Sequence, residues 1–162
     1  MRFAQHIVRR AVAIFATTLV GVLASAGGAA AAPACVPAKV ADASFTICAF
    51  NPAKSDIRLF WRDSNGDAYA GLDRLAEDVA AKGGRLVFAM NAGMYQPDLS
   101  PVGLYIEKGE EVRPINRRAG SGNFGMLPNG IFWVRGQTAG VTETKKFAAQ
   151  NLRPDYATQS GP

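Results

Sequence analysis

The chain has 162 residues, of which 48% are hydrophobic and 19% charged, with a formal net charge of +5, two cysteines and one histidine. This length and apolar content suit one folded domain with its own core, not a disordered or low-complexity chain. The positive charge is concentrated at the start. Without Arg2, Arg9 and Arg10, fifteen basic residues face thirteen acidic ones, a net +2. No basic stripe with interleaved aromatics follows, so nucleic acid is not an expected partner.

Residues 1–32 read as an export signal, and residues 33–162 as the mature domain. Arg2, Arg9 and Arg10 supply a basic leader, residues 11–24 an apolar core, and Ala29-Ala30-Ala31-Ala32 small residues for cleavage. The alternative is a retained anchor. The apolar stretch falls short of the ~20 residues that a spanning helix needs, so no stable membrane span is expected after cleavage. The location implied is periplasmic or secreted. His6, the only histidine, leaves with the signal. A mature chain without histidine cannot build a Ser-His-Asp or Cys-His centre or a His-ligated zinc site. Any metal would be a hard cation on carboxylate and carbonyl oxygens, and proton transfer would fall to carboxylates, Tyr or Lys. The sequence names no cofactor.

Cys35 and Cys48 lie thirteen positions apart at the start of the mature chain. In an exported protein such a pair reads as a disulfide, since the alternative, a reactive thiol, lacks an activating histidine. Residues 44–50 and 57–61 read as two strands, separated by a turn at Asn51-Pro52 and followed by a second turn at Ser64-Asn65-Gly66. From Leu72 the period changes. Leu72, Leu75, Ala76 and Val79 fall on one helical face, and Gly83-Gly84 is placed for a left-handed end. Residues 86–90 read as a buried strand. Residues 102–107 and 111–115 bracket Lys108-Gly109-Glu110 as a hairpin, with Glu107 and Glu111 at its far end. Residues 124–127 and 131–135 read as strands around a hairpin turn at Pro128-Asn129-Gly130. Residues 142–151 read as a short helix capped by Thr142. The fold class expected is α+β, a mostly antiparallel or mixed sheet with one or two packing helices.

Several ordered motifs carry a resemblance. They are Asn91-Ala92-Gly93-Met94-Tyr95, Ser100-Pro101-Val102-Gly103-Leu104-Tyr105, Gly122-Asn123-Phe124, Pro128-Asn129-Gly130-Ile131-Phe132 and Ala157-Thr158-Gln159-Ser160-Gly161-Pro162. Together they resemble the phosphodiester glycosidase family, over roughly residues 45–162. That family includes the enzyme that removes N-acetylglucosamine from a mannose 6-phosphate diester. The resemblance implies a carbohydrate or sugar-phosphate substrate and hydrolysis of a sugar-1-phosphodiester at the glycosidic bond. In the family the last motif leads into another core strand and a further half-domain. The sequence therefore reads as the N-terminal part of such a domain, with the C-terminal part expected to be missing.

The residues themselves suggest roles. Asn91, at the end of an apolar run, can hydrogen-bond a sugar hydroxyl or a phosphoryl oxygen, and Gly93 allows close approach of a ligand or of another backbone. Tyr95 can stack on a sugar ring or sit on the rim. Arg117 or Arg118 can pair two phosphate oxygens through a planar fork or be a surface arginine. Gly120, Gly122 and Asn123 belong to a glycine-rich loop whose amides can form an anion nest, although the loop matches neither a P-loop nor a dinucleotide fingerprint. The resemblance favours a lining role for Asn123 and Asn129. Asp98 is the candidate base, against the alternative of a turn residue in Pro97-Asp98-Leu99-Ser100. Phosphate is a good leaving group, so a strong general acid is less needed than in glycosidases with paired carboxylates. Two alternatives stand beside the hydrolase, namely a non-catalytic module that binds envelope glycans and an inactive remnant.

Overall fold

The computed structural model describes residues 34–118, 120 and 122–160. The expected export signal, residues 1–32, lies outside the described residues, as do Gly161-Pro162 of the last motif.

The chain opens with a two-stranded arm. Strand β1 (Ala34–Val40) turns at Ala41-Asp42 into β2 (Ala43–Ala49), and the antiparallel register sets Cys35 opposite Cys48. The expected disulfide joins them, with 4.0 Å between the two Cα atoms. The residues read as a strand at 44–50 pair with β1 and not with residues 57–61. Residues 57–61 enter no ladder, and an isolated bridge from Arg62 to Ala68 follows them. That bridge closes the expected turn, in which the Asp63 carboxylate accepts from the amides of Asn65 and Asp67.

Helix α1 (Leu72–Ala81) buries Leu75 and ends as its sequence predicts. Gly83 takes φ 76° and donates to the Ala80 carbonyl, while Gly84 donates to that of Val79. The buried strand expected at residues 86–90 does not form, and Val87, Phe88 and Met90 are 41%, 41% and 69% exposed. Their apolarity suits a central strand, but no strand lies alongside them among the described residues.

The remaining strands build one antiparallel sheet in the order β4-β3-β7-β5-β6. Strands β3 (Tyr105–Glu107) and β4 (Glu110–Arg113) form the expected hairpin. Its two turn residues, Lys108 and Gly109, both have positive φ, as a tight two-residue hairpin requires. Residues 124–127 are not a strand. A single 3₁₀ turn (Asn123–Gly125) occupies this region, and Pro128-Asn129-Gly130 leads out of it instead of turning a hairpin. Strand β5 (Gly130–Arg135) pairs onward with β6 (Thr138–Glu143) through Gly136-Gln137. Helix α2 (Thr144–Ala149) follows directly, and its cap is Glu143, not Thr142. The Thr142 hydroxyl accepts instead from the Trp133 indole N–H, at 2.9 Å. Strand β7 (Tyr156–Ser160) then inserts between β3 and β5. Asp155, just before it, accepts at its carbonyl from Gly109 and at its carboxylate from Gly136, tying both hairpin turns to one residue.

The fold is thus α+β, with antiparallel sheets of two and five strands and two helices. The sheet alternation divides its two faces. Leu104, Ile106, Ile131 and Ala157 pack under Phe147 of α2, with Trp133 and Leu152 at the margin. Tyr105 and Thr158 point the other way, and Trp61 meets Tyr105 edge-on at 6.2 Å. Among the described residues no helix is long and apolar enough to cross a membrane.

The bridge closes a short loop, for which the chain-entropy account gives roughly 3 kcal/mol. Reduction is expected to speed amide exchange throughout β1 and β2 while β5 and β7 keep their protection, read by hydrogen-exchange mass spectrometry with and without reductant. Loss of protection in β5 and β7 as well would show that the arm supports the larger sheet.

Candidate functional site

The site is built around Gln159, which is 1% exposed in the central strand. A buried primary amide must have its donors and acceptors satisfied. Here three separate segments provide partners. The Gln159 Oε1 accepts from the backbone amides of Leu104 (3.1 Å) and Asn116 (2.9 Å). Its Nε2 donates to the Asn116 carbonyl at 2.7 Å and, more weakly, to the Thr144 hydroxyl at 3.4 Å. The Gln159 backbone N–H also donates to the Leu104 carbonyl. One side chain thereby locks β7, the entry to β3, the segment after β4 and the start of α2.

The glycine motifs are fitted to this hub. A Cβ at Gly103 would lie 2.5 Å from the Phe124 ring and 2.6 Å from Gln159 Oε1. A Cβ at Gly93 would lie 2.6 Å from the Thr158 hydroxyl and 3.2 Å from the Gln159 carbonyl. Neither distance accommodates a side chain, so both loops lie directly against the end of β7. Asn91 is exposed beside Gly93 and makes no side-chain hydrogen bond with a described residue. Tyr95 is 58% exposed, and its backbone bridges to Pro101.

Asp98 is a turn residue here. Its Oδ1 accepts from the Ser100 hydroxyl (2.7 Å) and amide (3.0 Å), and these bonds hold its carboxyl below the usual carboxylate range. A carboxylate so engaged is a weak base. Gly122 has φ 88° and, with Asn123, is exposed at the start of the 3₁₀ turn. The nest expected at this loop loses one donor, because the Gly120 amide donates inward to the Gly125 carbonyl.

Arg117 and Asn129 do come together. They line a cleft of about 130 Å³ with Asn116, Glu143, Thr144 and Lys145. Asn129 is 4% exposed and chiefly a scaffold residue. Its Nδ2 donates to the Phe124 carbonyl, and its own carbonyl accepts from the amide and hydroxyl of Thr144. Arg117 is exposed at the mouth, on a segment fixed by Gln159 on one side and by Arg118 N–H donating to Asn116 Oδ1 on the other. Glu143 accepts from the Lys146 amide, and backbone amides of Lys145 and Lys146 hold its carboxyl below the ordinary value.

The cleft that holds Arg117 and Asn129 does not include Asn91, Gly93, Tyr95, Asp98, Gly122 or Asn123. Gly93 lies against Thr158, on the sheet face opposite α2, whereas the cleft opens beside α2. The candidate residues therefore flank one sheet end from two sides. Sequence reasoning missed Gln159 and Thr144 as its organisers, and the one signal available was an uncharged amide set among small residues in Ala157-Thr158-Gln159-Ser160. Among the described residues there is no cluster of His, Cys, Asp and Glu that could hold a metal ion.

No protein-family model matches the chain, and no solved structure matches it. It is similar to a curated protein of Escherichia coli (strain K12), described as uncharacterized protein YigE, with 34% identity over 125 residues. The match takes in 76% of this chain and 48% of the relative, so the chain spans about half the length of the curated relative.

Replacing Gln159 by Leu leaves the amides of Leu104 and Asn116 without their acceptor. At roughly 1–3 kcal/mol per orphaned group, the variant is expected to lose about 3 kcal/mol or more of stability in urea unfolding. Asp98 carries a pH signature. Its folded value lies below its ordinary 3.8, so its contribution is present above the ordinary carboxylate range and lost as pH falls through the lowered value. Asp98→Asn keeps an acceptor for Ser100 but removes the charge. Thermal melts in acid are expected to show a shallower loss of stability below about pH 4 in this variant than in the parent.

Proposed function

We propose that the chain carries part of a hydrolase site of the phosphodiester glycosidase type, in an exported protein, acting on a sugar-1-phosphodiester. The observation that supports this reading is convergence. The five motifs that carry the family resemblance, spread over some seventy residues, meet at one end of β7: Gly93 on Thr158, Gly103 on Gln159 and Phe124, the Phe124 carbonyl on Asn129, and Gly130 paired with Ser160. The motifs that carry the resemblance thus share one neighbourhood, around the buried Gln159 amide.

The chemistry fits in outline. Asn91 and Asn123 present exposed neutral amides suited to sugar hydroxyls or phosphoryl oxygens. Arg117, at the mouth of the cleft with Lys145, offers a planar fork for a phosphodiester. Asp98 and Glu143 both remain anionic at neutral pH, so they suit orienting a hydroxyl or water better than taking its proton.

A second reading, a glycan-binding module, draws support from that same weakness of the carboxylates and from the exposed ring of Tyr95. Turnover separates the two. The hydrolase releases sugar from a synthetic sugar-1-phosphodiester, whereas the module retains neutral glycans and releases nothing. For the hydrolase, Asn91→Ala and Asn123→Ala are each expected to lower turnover by roughly a hundredfold, the scale seen when one preorganised polar contact is removed, while the melting temperature stays nearly unchanged. Parental turnover in either variant would remove that residue from the site.

A further inference from the structure

Residues 86–90 read Leu-Val-Phe-Ala-Met, five apolar residues in succession. They lie in no helix, ladder or turn, and among the described residues none of their backbone groups has a hydrogen-bond partner. Val87, Phe88 and Met90 are substantially exposed. A run that is apolar at every position, with no alternation, is the pattern of a strand covered on both faces. Unpaired backbone groups beside it are the edge that such a strand offers.

The arm supplies a second apolar surface. Its register places Val36, Ala38 and Val40 on the same face as their partners Ile47, Phe45 and Ala43. That face has no polar residue, and Val36, Val40, Phe45 and Ile47 are each at least half exposed. A tilted contact between the Phe50 and Phe88 rings, with centroids 5.0 Å apart, links the end of the arm to the 86–90 run. A two-stranded hairpin with one wholly apolar face in water is marginal without a cover.

We propose that residues 86–90 are a strand acceptor and that, with the apolar face of the arm, they seat a further strand-bearing polypeptide segment, equivalent to the part of the E. coli relative outside the matched region. Two observations select this occupant. The matched region takes up 48% of that relative, so about as much chain again accompanies it there. A second copy of this chain, pairing its own 86–90 run across a twofold axis, would satisfy only one edge and leave the other edge open. The backbone groups of residues 86–90 are unpaired on both edges among the described residues, and both need partners. The mode is strand addition, in which main-chain hydrogen bonds supply affinity and alternate side chains supply specificity.

The experiment mixes the chain with a polypeptide comprising the unmatched residues of the E. coli relative and follows mass and amide exchange. For the chain alone, the amides of residues 86–90 are expected to exchange at the earliest labelling time while β5 and β7 stay protected. With the added polypeptide, a one-to-one complex is expected, together with slowing of the 86–90 amides on the order of a hundredfold. Met90→Asp, at a position 69% exposed, is expected to abolish the complex and leave the protection of β5 and β7 intact. The proposal is overturned if the 86–90 amides are already protected in the monomer, if no complex forms, or if protection follows concentration of the chain alone. The last outcome makes a second copy the occupant. None of these readouts depends on hydrolysis, so the result stands apart from that of the turnover assay.

Discussion

The fully buried side-chain amide of Gln159 is the constraint on which the rest of this end of the molecule depends. Removing a primary amide from water costs several kcal/mol unless its hydrogen bonds are remade inside, and here they are remade with groups from three segments far apart in sequence. The hydrogen bonds thus do what apolar packing cannot: they fix direction. Asn116 is held at both its N–H and its C=O, so the segment carrying Arg117 leaves the hub along a defined path. Leu104 is held at its N–H by the side chain and at its C=O by the backbone of the same glutamine. With the hub set, Gly103 and Gly93 have no freedom in size, since each lies where a methyl group would strike Gln159 or its neighbour Thr158. The motif glycines and the glutamine are one packing unit, although they are read as separate turns in the sequence.

That distinction explains what the sequence could convey. Helix α1 and the β3–β4 hairpin are encoded locally, by a 3.6-residue period closed with Gly83 and by Lys108-Gly109 in the left-handed region, and both appear where expected. The central strand is different. Tyr156-Ala157-Thr158-Gln159-Ser160 has no apolar run or alternation strong enough to announce a strand, and it becomes one only because β3 and β5 flank it. The converse error falls at residues 86–90, whose apolarity states where the side chains are stable but not whether neighbours are at hand. The hairpin read into Pro128-Asn129-Gly130 fails for a related reason. Asn129 has strong turn chemistry, but its side chain and carbonyl are spent on Phe124 and Thr144, so it anchors two elements instead of turning between two strands. Asp98 carried its own answer, because Ser100 two residues on is the usual partner of an aspartate in a turn.

The two edges of the five-stranded sheet are defended unequally. Strand β4 carries Glu110, Glu111 and Arg113, and charge on a short edge strand discourages further pairing. Strand β6 has no charge from Thr138 to Thr142, and Val141 on it is 75% exposed. Its protection is local. The Trp133 ring lies so close over Gly140 that a Cβ there would be 2.8 Å from it, and the indole N–H holds Thr142. That cover serves the α2 side, because Trp133 shares its face with Ile131 and Phe147. On the opposite side, Val141 pairs with Phe132 across the ladder and stays exposed.

The same division between faces bears on the chemistry of the site. Beside α2, the cleft gathers Arg117 and Lys145 around a carboxylate already engaged in capping the helix, so it offers positive charge to an incoming anion. On the other side, the Gly93 loop presents neutral groups, Asn91 and Tyr95, with Asp98 turned back on Ser100. Under the proposed hydrolysis the cationic cleft suits the phosphodiester and the neutral loop suits sugar hydroxyls, both near the end of β7. The demand on the scaffold is then positional rather than acid–base, since a phosphate leaving group needs little protonation and both nearby carboxylates are too acidic to supply it. A buried, fully bonded amide beneath that end is the kind of support such positioning requires, because it resists displacement in every direction in which a hydrogen bond would have to break.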